Sequence, residues 1–83
     1  MKNDEVTKVI SQLVLCMKEL RLKQGLSHDT LAERSGLTRQ SISLIENGLR
    51  VPSIASCLKV AKGLGIPLQK LLDMAESNRL KRP

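Results

Sequence analysis

The sequence predicts a single all-α domain of five helices. Three observations carry that expectation. Eighty-three residues are too few for two separate cores. Apolar residues recur at spacings of three and four, the repeat of one face of a helix. No segment alternates apolar and polar residues with period two over a useful length, and no repeat or low-complexity stretch interrupts the chain.

Val6, Val9, Ile10, Leu13, Val14, Met17 and Leu20 form one stripe, which places a long first helix over Asp4 to Lys23, ahead of a stop at Gly25. Leu15 and Leu22 lie off the stripe and imply a second apolar patch. Ser27 is placed to cap a short second helix, His28 to Ser35, by accepting from the N–H near Thr30; Gly36 ends it. Thr38 caps a third, Arg39 to Glu46, which stops at Asn47-Gly48. Pro52 and Ser53 open a fourth, Ile54 to about Leu64, with Ile54, Cys57, Leu58, Ala61 and Leu64 on one side. Gly63 is expected to weaken its last turn by roughly 1 kcal/mol relative to Ala, and Gly65 ends it. Pro67, suited to a first helical position, starts a fifth with Leu68, Leu71, Leu72 and Ala75 inward. The core is expected over about residues 6–76, with the basic tail 77–83 fraying.

Composition narrows the function. Lys and Arg number 14 against 8 Asp and Glu, a net charge of +6, which draws a small domain toward polyanions, nucleic acid first. The chain has no Phe, Tyr or Trp, so stacking on single-stranded bases is not its main binding mode. One His and two distant cysteines, Cys16 and Cys57, supply no ordinary zinc site and no secreted disulfide scaffold. The longest apolar run, Leu13 to Met17, is far short of a membrane span. Lys2 is offset by Asp4 and Glu5, and no cleavage site follows an apolar block, so no signal peptide is expected and a cytoplasmic location is the default. No cofactor is implied. Paired acids, a metal cluster or an activated nucleophile would mark an enzyme, and none is present; Ser41 and Ser43 have no base to activate them.

His28 to Asn47 carries the functional signal. It reads as two short helices meeting at a steep angle through a glycine turn, a helix-turn-helix. Ala32 sits where a larger side chain would push the helices apart. Gly36 sits where the turn calls for positive φ. Leu31, Leu37, Ile42 and Ile45 fall where the pair must bury apolar groups. Counted at about 100° per residue from Arg39, Ile42 and Ile45 lie near about 300° and 240°. Arg39, Ser43, Asn47, Gln40 and Leu44 spread between about 0° and 140°. One face is apolar; the other presents long hydrogen-bonding groups near the N-terminus, the form of a helix that reads base edges in the major groove of double-stranded DNA.

The run from Leu26 through Leu37-Thr38-Arg39-Gln40 to Asn47-Gly48, followed by Pro52-Ser53, resembles the Cro and phage-repressor (XRE-type) helix-turn-helix family, with similarity from about Leu20 to Leu72. The resemblance implies a five-helix, lambda-repressor-like fold in which helices two and three form the reading pair. It also implies that Arg21 pairs with Glu46, tying the reading helix to the body. Two positions depart from the pattern and bear on site preference rather than fold: His28 stands where Gln is usual, and Leu44 where phage repressors often carry a polar residue.

The expected DNA-binding set is His28, Thr38, Arg39, Gln40, Ser43, Leu44, Asn47 and Arg50. Arg39 and Gln40 read bases. Leu44 either covers the core rim or touches a thymine methyl. Arg50, in the following loop, contacts phosphate. His28 is read as a neutral first-turn residue near phosphate, with a pH switch the less favoured role. The cysteines are read as small core hydrophobes. The expected function is a sequence-specific transcription regulator binding a palindromic operator as a homodimer, a repressor or controller that blocks or contacts RNA polymerase. Phage repressors, restriction–modification controllers and antitoxins all fit. The competing class is an interaction module, or antitoxin, whose main partner is another protein. Two pairing surfaces are expected: Ile66, Leu68 and Leu72 on helix 5 with the start of helix 4, and Val6, Val9, Ile10 and Leu13 on helix 1.

Overall fold

Three of the helix starts in this chain are set by hydroxyl caps. In a computed structural model describing residues 4–81, Ser27, Thr38 and Ser53 are extended. Each accepts, through its side-chain oxygen, the backbone N–H three residues on, at 3.0 Å. Five helices result among the described residues: α1 (Asp4–Lys23), α2 (His28–Ser35), α3 (Arg39–Glu46), α4 (Ile54–Leu64) and α5 (Leu68–Lys81). Pro67 lies one position earlier than expected: it precedes α5, and its carbonyl accepts from Leu71 N–H at 3.3 Å.

Helix stops depend on backbone geometry. Gly36 adopts φ 72°, ψ 26°, and Leu37 N–H then reaches back to the Ala32 carbonyl at 3.0 Å, closing α2 with a left-handed cap. Gly65 ends α4 in the same way. Gln24 joins the two ends of the body, its Nε2 donating to the Leu64 carbonyl at 2.8 Å.

Aliphatic side chains from every helix fill the centre. Leu13, Cys16 and Met17 of α1 meet Leu31 of α2, Ile42 and Ile45 of α3, Val60, Ala61 and Leu64 of α4, and Leu71 and Ala75 of α5, all buried. Leu37 packs half-buried against this core. The scaffold consists of α1 laid along α5 and α2 laid against α4, with α3 carried on α2 and α1. Cys16 and Cys57 are both core residues, and burial pushes the Cys57 thiol pKa up, which disfavours the reactive thiolate.

Several expected core positions turn outward. Ile54 and Leu58 are more than half exposed, and α4 packs instead through Cys57, Val60, Ala61 and Leu64. Leu72 is 37% exposed because α5 presents Leu71 and Ala75 to the core. Val6 and Leu22 are also exposed, so the ends of the α1 stripe and its second patch contribute little to the centre. Gly63 has a packing role that propensity hides. A Cβ there would lie 2.3 Å from Ser35 Oγ and 2.9 Å from Leu31 Cδ1, so its lack of a side chain is what lets α4 approach α2.

α5 continues to Lys81, beyond residue 76 where the core was expected to end. Arg79 bonds Glu76 at 3.0 Å and reaches Glu5 of α1, while Asn78 Nδ2 meets Cys16 Sγ at 3.5 Å. These contacts tie Asn78 and Arg79, within the segment expected to fray, to α1 and to their own helix. Arg82, Pro83 and Lys2 lie outside the described residues.

Candidate nucleic-acid interface

α2 and α3 are fixed to each other by a small set of residues. Ala32 is buried at the crossing, Gly36 supplies the left-handed turn, and Thr38 starts α3. Ile42 and Ile45 are each 2% exposed and anchor one side of α3 to the core. Arg39 and Gln40 at the start of that helix are exposed, as the helical angles required.

The end of α3 is fastened by charge. Arg21 of α1 donates from Nε to Glu46 Oε2 at 2.7 Å and from Nη2 to Oε1 at 3.0 Å, a bidentate pair. Its Nη1 donates to the Leu26 carbonyl at 2.8 Å, tying the α1–α2 connection into the same unit. His28 Nε2 lies 3.1 Å from Glu46 Oε1. Burial alone would raise the Glu46 pKa. Hydrogen bonds from Arg21 and His28, with their charge, outweigh it and hold the carboxyl below its ordinary value. The resemblance implied the Arg21–Glu46 pair, and it places at position 28 a side chain that reaches the third helix; here that side chain is His28.

The expected DNA-binding residues fall into three groups. His28, Arg39, Gln40, Ser43 and Leu44 line one open hollow on the face of α2–α3, with His28, Ser43 and Leu44 half-buried. Arg50 folds back from the next loop to donate to Ser41 Oγ at 3.3 Å, which brings it beside α3. Thr38 and Asn47 are exposed at opposite ends of the helix. Thr38 is occupied by its cap and donates to Ser41 Oγ, and Asn47 donates to Ser43 Oγ at 3.3 Å. Arg39 Nε sits 3.7 Å from Asp29 Oδ1, with both side chains more than two-thirds exposed. Such a pair contributes about 0–1 kcal/mol and releases Arg39 easily to another acceptor.

Sequence reasoning put the start of helix 4 on a pairing surface but missed the loop residues beside it. Leu49, Val51, Ile54 and Leu58, in the α3–α4 loop and the first turns of α4, are between 53% and 74% exposed. Leu49 and Val51 stand in a loop without helical period, so periodicity gave them no place. An apolar pair between Gly48 and Pro52 was the available signal.

Among the described residues, no group of three or more His, Cys, Asp or Glu is placed to hold a metal ion, and no helix is long and apolar enough to cross a membrane.

A capped α3, a glycine turn and a charged clasp to the body together form a helix-turn-helix. The helix-turn-helix family model matches residues 17–71, and the chain belongs to that family, of the XRE type. It is 37% identical over 62 residues to the uncharacterized HTH-type transcriptional regulator YgzD of Bacillus subtilis (strain 168), a match spanning 75% of this chain and 94% of YgzD. It is 38% identical over 60 residues to the HTH-type transcriptional regulator PuuR of Escherichia coli (strain K12), covering 72% of this chain but 32% of PuuR. Among solved structures, the wild-type restriction–modification controller protein C.Esp1396I superposes with a TM-score of 0.82 at 31% identity, over 89% of this chain and 96% of that one. The controller C.AhdI from Aeromonas hydrophila gives 0.70 at 35% identity, over 78% and 97%.

Proposed function

We propose that this protein is a sequence-specific, double-stranded DNA-binding transcription regulator that acts as a homodimer on a palindromic operator, as a repressor or controller. The observation that carries the reading is the exposed N-terminal turn of α3, where Arg39 and Gln40 stand on a helix immobilised by Ile42, Ile45 and the Arg21–Glu46 clasp. Rigid placement matters because bidentate contacts to base edges tolerate little misalignment. Arg39 suits guanine and Gln40 suits adenine. Arg50 serves the phosphate backbone beside them. The chain's net charge of +6 supplies the sequence-independent attraction.

One reading head touches too few base pairs to find a site in a genome, and two-fold pairing doubles the contacts. The surface that favours pairing is Leu49, Val51, Ile54 and Leu58, an exposed apolar patch of the kind that marks interfaces. It adjoins the C-terminal end of α3, while Arg39 and Gln40 sit at the other end, so pairing there leaves the reading turn free. Of the positions expected from sequence, Leu13 is buried and Ile66 and Leu68 pack on the core, while Val6 and Leu72 are exposed. Regulation then follows from blocking or contacting RNA polymerase at the bound promoter. The similarity to controller proteins supports that assignment.

Selection of bound duplexes from a random pool tests the reading and returns the operator, its symmetry and its spacing together. Arg39→Ala and Gln40→Ala are each expected to cost about 1–3 kcal/mol of specific binding with the fold intact. Arg50→Ala is expected to weaken all sequences alike and to lower the salt slope by about one unit. A pool that enriches nothing, with no salt-dependent binding, favours the protein-interaction module instead.

A further inference from the structure

Ile10 and Leu15 of α1 are half-buried without belonging to the core, and Leu15 lies off the stripe that packs inward. With Val14 they form one wall of a groove of about 520 Å³. The facing wall is the end of α3 and the loop after it, through Ile45 and Val51. Small-molecule sites typically enclose roughly 300–1,000 Å³ and are mostly apolar, with a few polar groups that fix the ligand. Of the exposed apolar patch at 49–58, only Val51 reaches the groove, so pairing through the rest leaves it open.

Two polar groups on these walls have unmet bonding capacity. Gln12 lines the groove, and its Oε1 is buried with no hydrogen-bond partner among the described residues. A buried acceptor without a donor is destabilising, and the last torsion of a glutamine is soft enough to turn the amide toward a donor entering the groove. Arg50 lines the same groove and makes a single hydrogen bond, 3.3 Å to Ser41 Oγ, with no ion pair among the described residues. Glu46 is the other charged lining residue, and Arg21 already offsets its charge. The groove therefore offers an aliphatic wall, an acceptor in need of a donor, and a guanidinium in need of an anion.

We propose that this groove binds a small monoanion in which an aliphatic chain is joined through an amide N–H to a carboxylate, the chemistry of an N-acyl amino acid. The chain lies on Ile10, Val14 and Leu15, the N–H donates to Gln12 Oε1, and the carboxylate takes the Arg50 guanidinium. On the reading of this protein as DNA-binding, Arg50 also serves a backbone phosphate, and two anions on one guanidinium repel each other. Ligand and DNA are then antagonists: the ligand loosens the protein from DNA, and by linkage DNA lowers affinity for the ligand by the same factor.

The probe is N-octanoylglycine, titrated into the full chain without DNA and followed by calorimetry and by amide NMR. Saturable binding with Kd below about 1 mM is expected, with the largest shifts at residues 10–15 and 45–51. The methyl ester of the probe, which lacks the charge, and octanoate, which lacks the N–H, are each expected to bind at least about fivefold more weakly. Leu15→Gln, at a half-exposed position outside the DNA-binding set, is expected to bind the probe about tenfold more weakly and duplex DNA as the wild type does. Ile10→Gln should behave alike. With a random-sequence duplex at low salt, saturating probe should weaken wild-type binding several-fold and lower the salt slope by about one unit. The same probe concentration should change Leu15→Gln far less. No binding up to about 1 mM, or equal binding of the ester or of octanoate, would overturn the proposal. Shifts that follow protein concentration rather than probe would give the groove to a second copy and overturn it as well. Probe binding that leaves duplex affinity and salt slope unchanged would overturn the antagonism. Absence of duplex binding with and without probe would remove the DNA-binding reading while the ligand site stands.

Discussion

Glu46 keeps its charge with a side chain only 4% exposed, because Arg21 and His28 point three donors at it from two other helices. Removing one member of a buried pair leaves the other uncompensated. Glu46→Gln is therefore expected to cost about 3–5 kcal/mol of folding stability in urea denaturation, with Arg21→Ala similar. The pH dependence follows from the lowered Glu46 pKa. A carboxyl whose folded value lies below its unfolded value, about 4.3, contributes stability fully above the unfolded value. That contribution fades as pH falls through the folded value. Wild-type protein should lose stability on this acid limb, and Glu46→Gln should show a shallower one; identical limbs would sink the assignment. Arg21 and Glu46 are 25 positions apart, and only the family pattern connects them in the sequence. His28 joins them only because α2 lies beside the end of α3.

At the scale of elements, α2 and α4 meet where Gly63 faces Ser35. Helix propensity favours Gly63→Ala by about 1 kcal/mol. The structure sets against this a Cβ 2.3 Å from Ser35 Oγ and 2.9 Å from Leu31 Cδ1, an overpacking that costs about 1–3 kcal/mol. Thermal melts are expected to show Gly63→Ala destabilised. Ser35 Oγ is buried without a partner, so Ser35→Ala should be neutral or stabilising. The double variant should then recover part of the Gly63→Ala loss; simple additivity would show that the hydroxyl is not the obstacle. Gly36 has a different reason for being glycine. A Cβ there meets nothing within 4 Å, so the whole cost of a side chain is the positive φ of 72°, about 1–2 kcal/mol for alanine. The turn glycine is legible in the sequence because a local rule demands it. The crossing glycine is not, because its neighbours are 28 positions or more away.

For the whole molecule, the exposed apolar residues at 49–58 bear on oligomeric state. Ile54→Glu and Leu58→Glu change side chains that are 73% and 53% exposed in the single chain, so the monomer fold should survive. On the proposed homodimer, sedimentation is expected to give a dimer for the wild type and a monomer for the double variant, whose affinity for a two-fold operator should drop to that of a single half-site. A double variant that still sediments as a dimer would remove this surface from the interface. The sequence suggested α5 with the start of α4, where Ile54 and Leu58 stand, and the N-terminal half of α1; α1 and α5 lie against each other, while Val6 and Leu72 stay exposed.

Sequence alone determined what depends on near neighbours along the chain. Caps three residues from the amide they accept, glycines at positive φ and apolar spacings of three and four act within one or two turns, and they set all five helices and the polar side of α3. The fold class and the exposed Arg39–Gln40 turn are therefore legible in the chain itself. Tertiary structure decided what depends on which helix lies against which. It turned Ile54 and Leu58 outward and kept α5 helical to Lys81. It made Gly63 a contact point and brought His28 to Glu46 across 18 positions. A helix has two or three faces that its own periodicity can declare apolar, but only a partner helix in place determines which of them water reaches.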